Sequence, residues 1–334
     1  MKHISERELE LPDAIIGQLL EIAVEHKDII SLGPGEPDFP APQPIVDYTK
    51  EIAHLVNHYS PPAGRHELRE AIVKKVRKEN KIRAGLENVL VTTGSQEGLF
   101  LAVLCTADPA EQIILPSPSF LGYLPAIELC DAVPMPVQLK EENRFEAVPD
   151  DVEKLVNKKT SAIIINTPSN PTGTVISRKT LEEIADIAIN HDLYIFSDEA
   201  YEHIIYDNTK HVSIASLNGM EDYAVSFFTF SKSYAMCGYR LGYCVGPAAL
   251  TAAMAKSHTY TTLSAPTISQ MLGIKALSLP HSHMSKMVSE YDRRRKMLVK
   301  RLNDIGFYTP VPKGAFYTFS NIKNFENNSR KFAK

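Results

Sequence analysis

Between Thr229 and Arg240 one lysine stands among hydroxyls, just after the apolar run from Ala224 to Phe228. The run reads as a buried strand, so its end presents Thr229, Ser231, Lys232, Ser233 and Arg240 together. A lysine placed there is ill suited to be a solvated surface charge. Its amine has the widest chemical reach of the group, as a nucleophile or as a proton carrier.

Four other stretches are built the same way. The run Asn88 to Thr93 leads into Gly94, Ser95 and Gln96, and Gln112 to Leu115 leads into a Pro/Ser segment ending at Phe120. Ser161 to Ile165 leads into a segment holding Asn170, and Leu193 to Phe196 leads into Asp198, Glu199 and Tyr201. Apolar runs of this length between turn signals predict strands of a parallel sheet covered on both faces, hence an α/β fold. Ligands of such sheets bind outside the carboxyl ends of the strands, so five strands deliver polar groups to one rim. Gly94 to Gly98 precedes an apolar helix, whose free N–H groups and dipole favour an anion, most often a phosphate; a plain capped helix is the alternative. Asp198 could cap a turn or pair with a buried cation.

The chain has 334 residues and 44% hydrophobic content, enough for a large core and two domains. A net charge of −4 gives no general reason to bind nucleic acid. The 11 histidines show no metal-ligand spacing, so no metal is expected. Cys105, Cys130, Cys237 and Cys244 form no C-x-x-C pair and read as free thiols in a reducing compartment. The N-terminus is charged where a signal peptide needs an apolar core, and no uncharged stretch is long and unbroken enough to span a membrane. A cytoplasmic protein is expected.

Residues 12–26 predict an amphipathic packing helix with Ile15, Ile16, Leu19, Leu20 and Ala23 inward, starting after Asp13. The Gly/Pro-rich segment 29–40 predicts a fixed loop in which Gly35 could approach a ligand. Tyr59 opens a rigid turn before a helix carrying Leu68, Ile72 and Val76. Residues 121–137 read as β-type, 150–158 as a short helix, and a helix with Leu181, Ile184, Ala185 and Ala188 inward starts at Ser177. A basic helix is predicted over 284–304, its Arg293 to Lys296 cluster a solvated face or an interface. A hairpin is predicted over 306–319, then a polar tail without a closing helix.

The combination Gly-Glu-Pro-Asp-Phe (35–39), Tyr-Ser-Pro-Pro-Ala-Gly (59–64), Asn-Thr-Pro-Ser-Asn-Pro-Thr-Gly (166–173), Ser-Asp-Glu-Ala-Tyr (197–201) and Ser-Lys-Ser-Tyr-Ala-Met-Cys-Gly-Tyr-Arg (231–240) resembles the class I/II aminotransferases. These are pyridoxal 5′-phosphate (PLP) enzymes of fold type I, and the flavour is close to prokaryotic and archaeal aspartate, aromatic and alanine aminotransferases. The resemblance implies transfer of an amino group from an L-amino acid to a 2-oxo acid by ping-pong kinetics. It assigns Lys232 the Schiff base and the proton transfer, Asp198 the pyridine nitrogen, and Tyr201 and Asn170 the ring 3-oxygen. Gly94, Ser95, Gln96, Thr229, Ser231 and Arg240 would hold the phosphate, and Phe120 would stack on the ring. Gly35, with Asn170, would line the substrate carboxylate. Tyr59 would reach the phosphate of a neighbouring subunit, which implies a homodimer. The implied domains are a large cofactor domain at 40–283 and a small one from 1–39 and 284–334.

The family's small domain ends with an arginine that clamps the substrate α-carboxylate, and no arginine before Lys334 stands in a matching context. The chain therefore reads as truncated at its C-terminus. A lyase or decarboxylase on the same cofactor frame, a PLP-binding regulator and an inactive truncated product are the alternatives to aminotransfer.

Overall fold

The computed structural model describes residues 3–12, 15–26, 28, 30, 32, 33 and 35–333. Asp13, Ile29, Ser31 and Pro34 of the predicted N-terminal features lie outside them, as do the side chains of Ile15, Ile16, Leu19 and Ala23. The first predicted helix is present as Ile15–Glu25; of the side chains expected inward only Leu20 is described, and it is exposed.

Seven strands form the central sheet: β1 (Val89–Thr92), β2 (Gln112–Ser117), β3 (Val133–Gln138), β4 (Thr160–Asn166), β5 (Tyr194–Asp198), β6 (Ala224–Thr229) and β7 (Gly242–Val245). Their spatial order is β1-β7-β6-β5-β4-β2-β3. All five runs read from the sequence are strands. Alternation divides their side chains between two cores. Val89, Val91, Ile163 and Ile165 pack on one face, and Leu90, Ala162 and Ile164 on the other. Each fully buried aliphatic side chain contributes about 1.5–3 kcal/mol, which is why unbroken apolar runs settle here.

The sheet is mixed rather than all parallel. β7 runs antiparallel to both β1 and β6, while the remaining pairs are parallel. β7 is short, begins at Gly242 and returns directly from β6, so its sequence carries too little apolar length to announce a strand. The carboxyl ends of β1, β2, β4, β5 and β6 still point the same way, because β1 and β6 share an antiparallel neighbour. Residues 230–241, which carry Lys232, are thereby held at both ends, with Thr229 paired to Gly242.

The helix Arg178–His191 begins as expected, with the Ser177 hydroxyl accepting from Thr180 N at 3.2 Å. Leu181, Ile184, Ala185 and Ala188 are buried. The segment 121–137 splits into the helix Tyr123–Glu128 and β3. The short helix expected over 150–158 is confined to Pro149–Glu153, and the basic helix is Ser282–Asp304. Of its cationic cluster, Arg295 is not solvated. It is buried and donates to both Asp207 oxygens at 2.8 and 2.9 Å and to Pro312 O at 2.6 Å. No regular hairpin forms over 306–319. Tyr308 forms a single antiparallel bridge to Asn321, while Gly314 bridges to the distant Ile205. A short helix, Ser329–Ala333, ends the described chain where none was predicted, and Phe332 packs edge-on against Phe307 at 5.8 Å. A third cluster joins Tyr201, Ile204 and Tyr206 to Met287 and Tyr291 of the long helix.

Candidate active site

The carboxyl ends of the five co-directed strands surround a cavity of about 310 Å³. After β1 the chain turns at Gly94, at φ +96°, and starts the helix Ser95–Thr106; Gly94, Ser95 and Gln96 line the cavity. Phe120 enters after β2, Asn170 after β4, and Asp198 and Tyr201 at the end of β5. Thr229, Ser231, Lys232 and Arg240 enter after β6, and Gly35 closes one side. Tyr59 is the exception among the predicted residues: it lies outside the cavity lining and is 85% exposed.

Lys232 Nζ donates to Gly35 O at 2.8 Å and stands 5.8 Å from the centre of the Tyr201 ring. Burial lowers its pKa, opposed by Cys237, Asp198 and Glu36; Arg240 adds a smaller lowering. Asp198 accepts from the Tyr123 hydroxyl at 2.6 Å and from Ala200 N at 3.1 Å. Burial raises its pKa against the opposing pull of those two hydrogen bonds, as expected of a carboxylate that lacks a close cation. The Tyr201 hydroxyl lies 2.5 Å from that of Tyr317, which also accepts from Asn170 Nδ2 at 3.4 Å.

Tyr123 and Tyr317 were missed as site residues. Tyr123 stands three residues beyond Phe120, one helical turn on, and their rings meet edge to face at 5.5 Å. Tyr317 lies in the segment read as a hairpin, and nothing local says that its hydroxyl reaches back to Gly35 and Asn170.

The end of the cavity at Gly94 is built for an anion. Among the described residues the Ser95 and Gln96 side chains have no hydrogen-bond partner, and they stand at a helix start whose N–H groups are free. Arg240 crosses the Gly94 backbone, donating to Thr93 O at 3.4 Å and Cys237 O at 3.1 Å. Glycine is required on both sides of this crossing. A Cβ on Gly94 would lie 2.8 Å from Arg240 Nη2, and one on Gly242 would lie 2.5 Å from Ser95 N. A phosphate at this end, an aromatic ring beside Phe120 and a cationic ring nitrogen at Asp198 fit the residues present. PLP has these three features.

Comparison with known proteins decides the family. The sequence pattern described as "Aminotransferase class I and II" matches residues 27–333. The chain belongs to the class I and II aminotransferases. Within them it is 43% identical over 323 residues to an aspartate aminotransferase of Pyrococcus abyssi, covering 96% of this chain and 83% of that one. The solved aromatic aminotransferase from Pyrococcus horikoshii superposes with a TM-score of 0.89 at 41% identity, covering 95% of this chain and 85% of that chain. The aspartate aminotransferase from Thermus thermophilus, solved with maleate, gives 0.95 at 30% identity over 99% and 88%. The protein is thus a PLP-dependent aminotransferase of fold type I, acting on amino and 2-oxo acids.

Two expectations follow for this aminotransferase. Gly242→Ala forces a methyl group against the Gly94–Ser95 backbone, and overpacking of this kind typically costs about 1–3 kcal/mol. The affinity of the apoenzyme for PLP should drop about tenfold, as 1.4 kcal/mol gives, in an absorbance titration. The second concerns Glu97, which accepts from Thr93 N and Oγ1 at 2.6 Å and lies 3.1 Å from His258 Nδ1. Burial pushes this carboxyl up, but His258 and Thr93 outweigh burial and leave it lowered to about 2, against an ordinary 4.5. A depressed folded pKa means the contribution is complete above 4.5 and is lost as pH falls toward 2. Glu97→Gln should lower stability by about 2–3 kcal/mol at neutral pH and flatten the acid limb of a denaturation series.

Proposed function

We propose that Lys232 holds the cofactor covalently and serves as the proton carrier of an amino-group transfer running by ping-pong kinetics. The observation that carries this reading is the convergence of Lys232, Asp198 and Arg240 on one cavity. Bound there, PLP supplies an electron sink for the charge left when an amino acid loses its α-proton. Lys232 Nζ, its pKa lowered by burial, is suited to be neutral when it must take that proton. Asp198 holds the proton on the pyridine nitrogen. Tyr201 and Asn170 donate to the ring 3-oxygen, with Tyr317 fixing both. Gly94, Ser95, Gln96, Thr229, Ser231 and Arg240 hold the phosphate, and Phe120 covers one ring face. Gly35 and Asn170 line the place of the substrate carboxylate.

The active unit of this reading is a homodimer. Tyr59 is exposed and outside the cavity of its own chain, which supports its serving the phosphate of a second copy. Residues 40–283 form the large domain around the sheet; 1–39 and 284–334 form the small one. Four free cysteines support a reducing, cytoplasmic setting, and among the described residues no helix is long and apolar enough to cross a membrane.

Mixing two defective variants tests the assembly. Refolding Tyr59→Phe together with Lys232→Ala should restore activity, because a hybrid dimer contains one site with Lys232 from one chain and Tyr59 from the other. Absence of restoration assigns Tyr59 to its own chain or to no site. The names of the relatives support aspartate or an aromatic amino acid as donor. Incubation with each donor and 2-oxoglutarate should yield glutamate; pyruvate and ammonia without a new amino acid would point to a lyase.

A further inference from the structure

Away from the cavity, three side chains distant in sequence meet at one point. Glu79 lies in the helical turn Val76–Asn80, His203 follows the turn at Tyr201, and His281 precedes the helix Ser282–Asp304. Glu79 Oε2 is 3.0 Å from His203 Nε2, and Glu79 Oε1 is 3.1 Å from His281 Nε2. One ligand atom from each residue lies within 4.8 Å of the others. The imidazole centroids are 6.0 Å apart at 72°, so the rings meet at an angle rather than stacking.

We propose that Glu79, His203 and His281 form a binding site for one zinc ion, outside the PLP cavity. The donor set is two imidazole nitrogens and one carboxylate, which suits zinc and leaves a fourth position for water. Ligand atoms on a tetrahedral zinc with bonds near 2.0–2.1 Å stand about 3.3 Å apart. Glu79 meets the two imidazoles through different oxygens, at 3.0 and 3.1 Å, and one donor atom of each residue lies within 4.8 Å of the others, so side-chain rotation has to draw the three together around the ion. His203 also has the outer partner that zinc-bound histidines use, since its Nδ1 lies 3.1 Å from the Ser233 hydroxyl. Without metal, His203 Nε2 donates its proton to Glu79, and His281 Nε2 lies beside the other carboxylate oxygen. On binding, His203 carries its proton on Nδ1, donated to Ser233, and Nε2 offers its lone pair. His281 likewise shifts its proton to Nδ1 or, if cationic, releases one to solvent.

The surrounding charge does not oppose a cation. Lys75 is paired with Glu202, whose Oε1 is itself 3.7 Å from His203 Nδ1. His281 is 57% exposed and gives an entry route, while Glu79 and His203 are largely covered. No spacing rule finds the site, because each residue comes from a different element. A bound ion would tie the start of the Ser282–Asp304 helix to the turn that carries Tyr201.

The test uses metal-free holoenzyme titrated with ZnCl2 by calorimetry, and with CoCl2 by visible absorbance. The wild type should bind one ion per chain at micromolar concentration, show a cobalt spectrum of nitrogen and oxygen ligation, and melt higher with zinc. His281→Ala and Glu79→Gln should each weaken binding by at least about tenfold, the loss that changes to outer partners alone produce. The exposed His281→Ala variant should keep full aminotransferase activity without metal, which shows that it is folded. Failure of the wild type to bind zinc at micromolar concentration overturns the site. So does a His281→Ala variant that binds zinc as tightly as wild type.

Discussion

Lys232→Ala should abolish the yellow absorbance that PLP acquires on this protein and lower kcat by about 10²–10⁴-fold, the contribution of proton transfer by a positioned side chain. The fold should survive. Among the described residues the Lys232 side chain makes one hydrogen bond, to Gly35 O. Its neighbours on residues 230–241 are held by the pairing of Thr229 with Gly242 rather than by the lysine. A small primary amine added to the variant should restore part of the rate, a readout that a merely structural role would not move. Yellow colour retained by the alanine variant would transfer the covalent role to another residue.

Asp198→Asn should keep PLP bound but lower kcat by about 10²–10³, the usual loss when one preorganised electrostatic group is removed from a reacting centre. The asparagine keeps the shape and can still accept from Tyr123, so what is lost is the negative charge. Asp198→Ala should be worse, because it also strands the buried Tyr123 hydroxyl without its acceptor. Single-turnover kinetics on the PLP-saturated variants separate the two effects from cofactor binding. A wild-type rate in the asparagine variant would remove Asp198 from the chemistry.

The strand ends that surround the cavity were legible because each follows an unbroken apolar run and ends in groups that cannot be left buried without purpose. Asp198, Lys232 and Arg240 stood out by charge in apolar surroundings. Tyr123 and Tyr317 did not, because an aromatic body reads as core and only the third dimension shows where its hydroxyl ends. β7 was illegible for a different reason: four residues opened by glycine give no periodicity, and its direction is set by the return of residues 230–241. Gly314 was read as part of a local hairpin, whereas it pairs with Ile205 across the cluster around Tyr201. Arg295 looked like one of four surface cations, and only the approach of Asp207 and Pro312 buries it.

The antiparallel β7 also orders events during synthesis. Among the described residues β1 has no strand partner except β7. Val89 to Thr92 leave the ribosome roughly 150 residues before Gly242 to Val245 do, an interval of roughly 8–30 s at ordinary elongation rates. Until then β1 and the Gly94 turn that follows it wait as an unclaimed edge, while β2, β4, β5 and β6 can already assemble. The nascent chain is therefore open to mispairing at the segment that will later face the phosphate until Gly242 to Val245 have emerged.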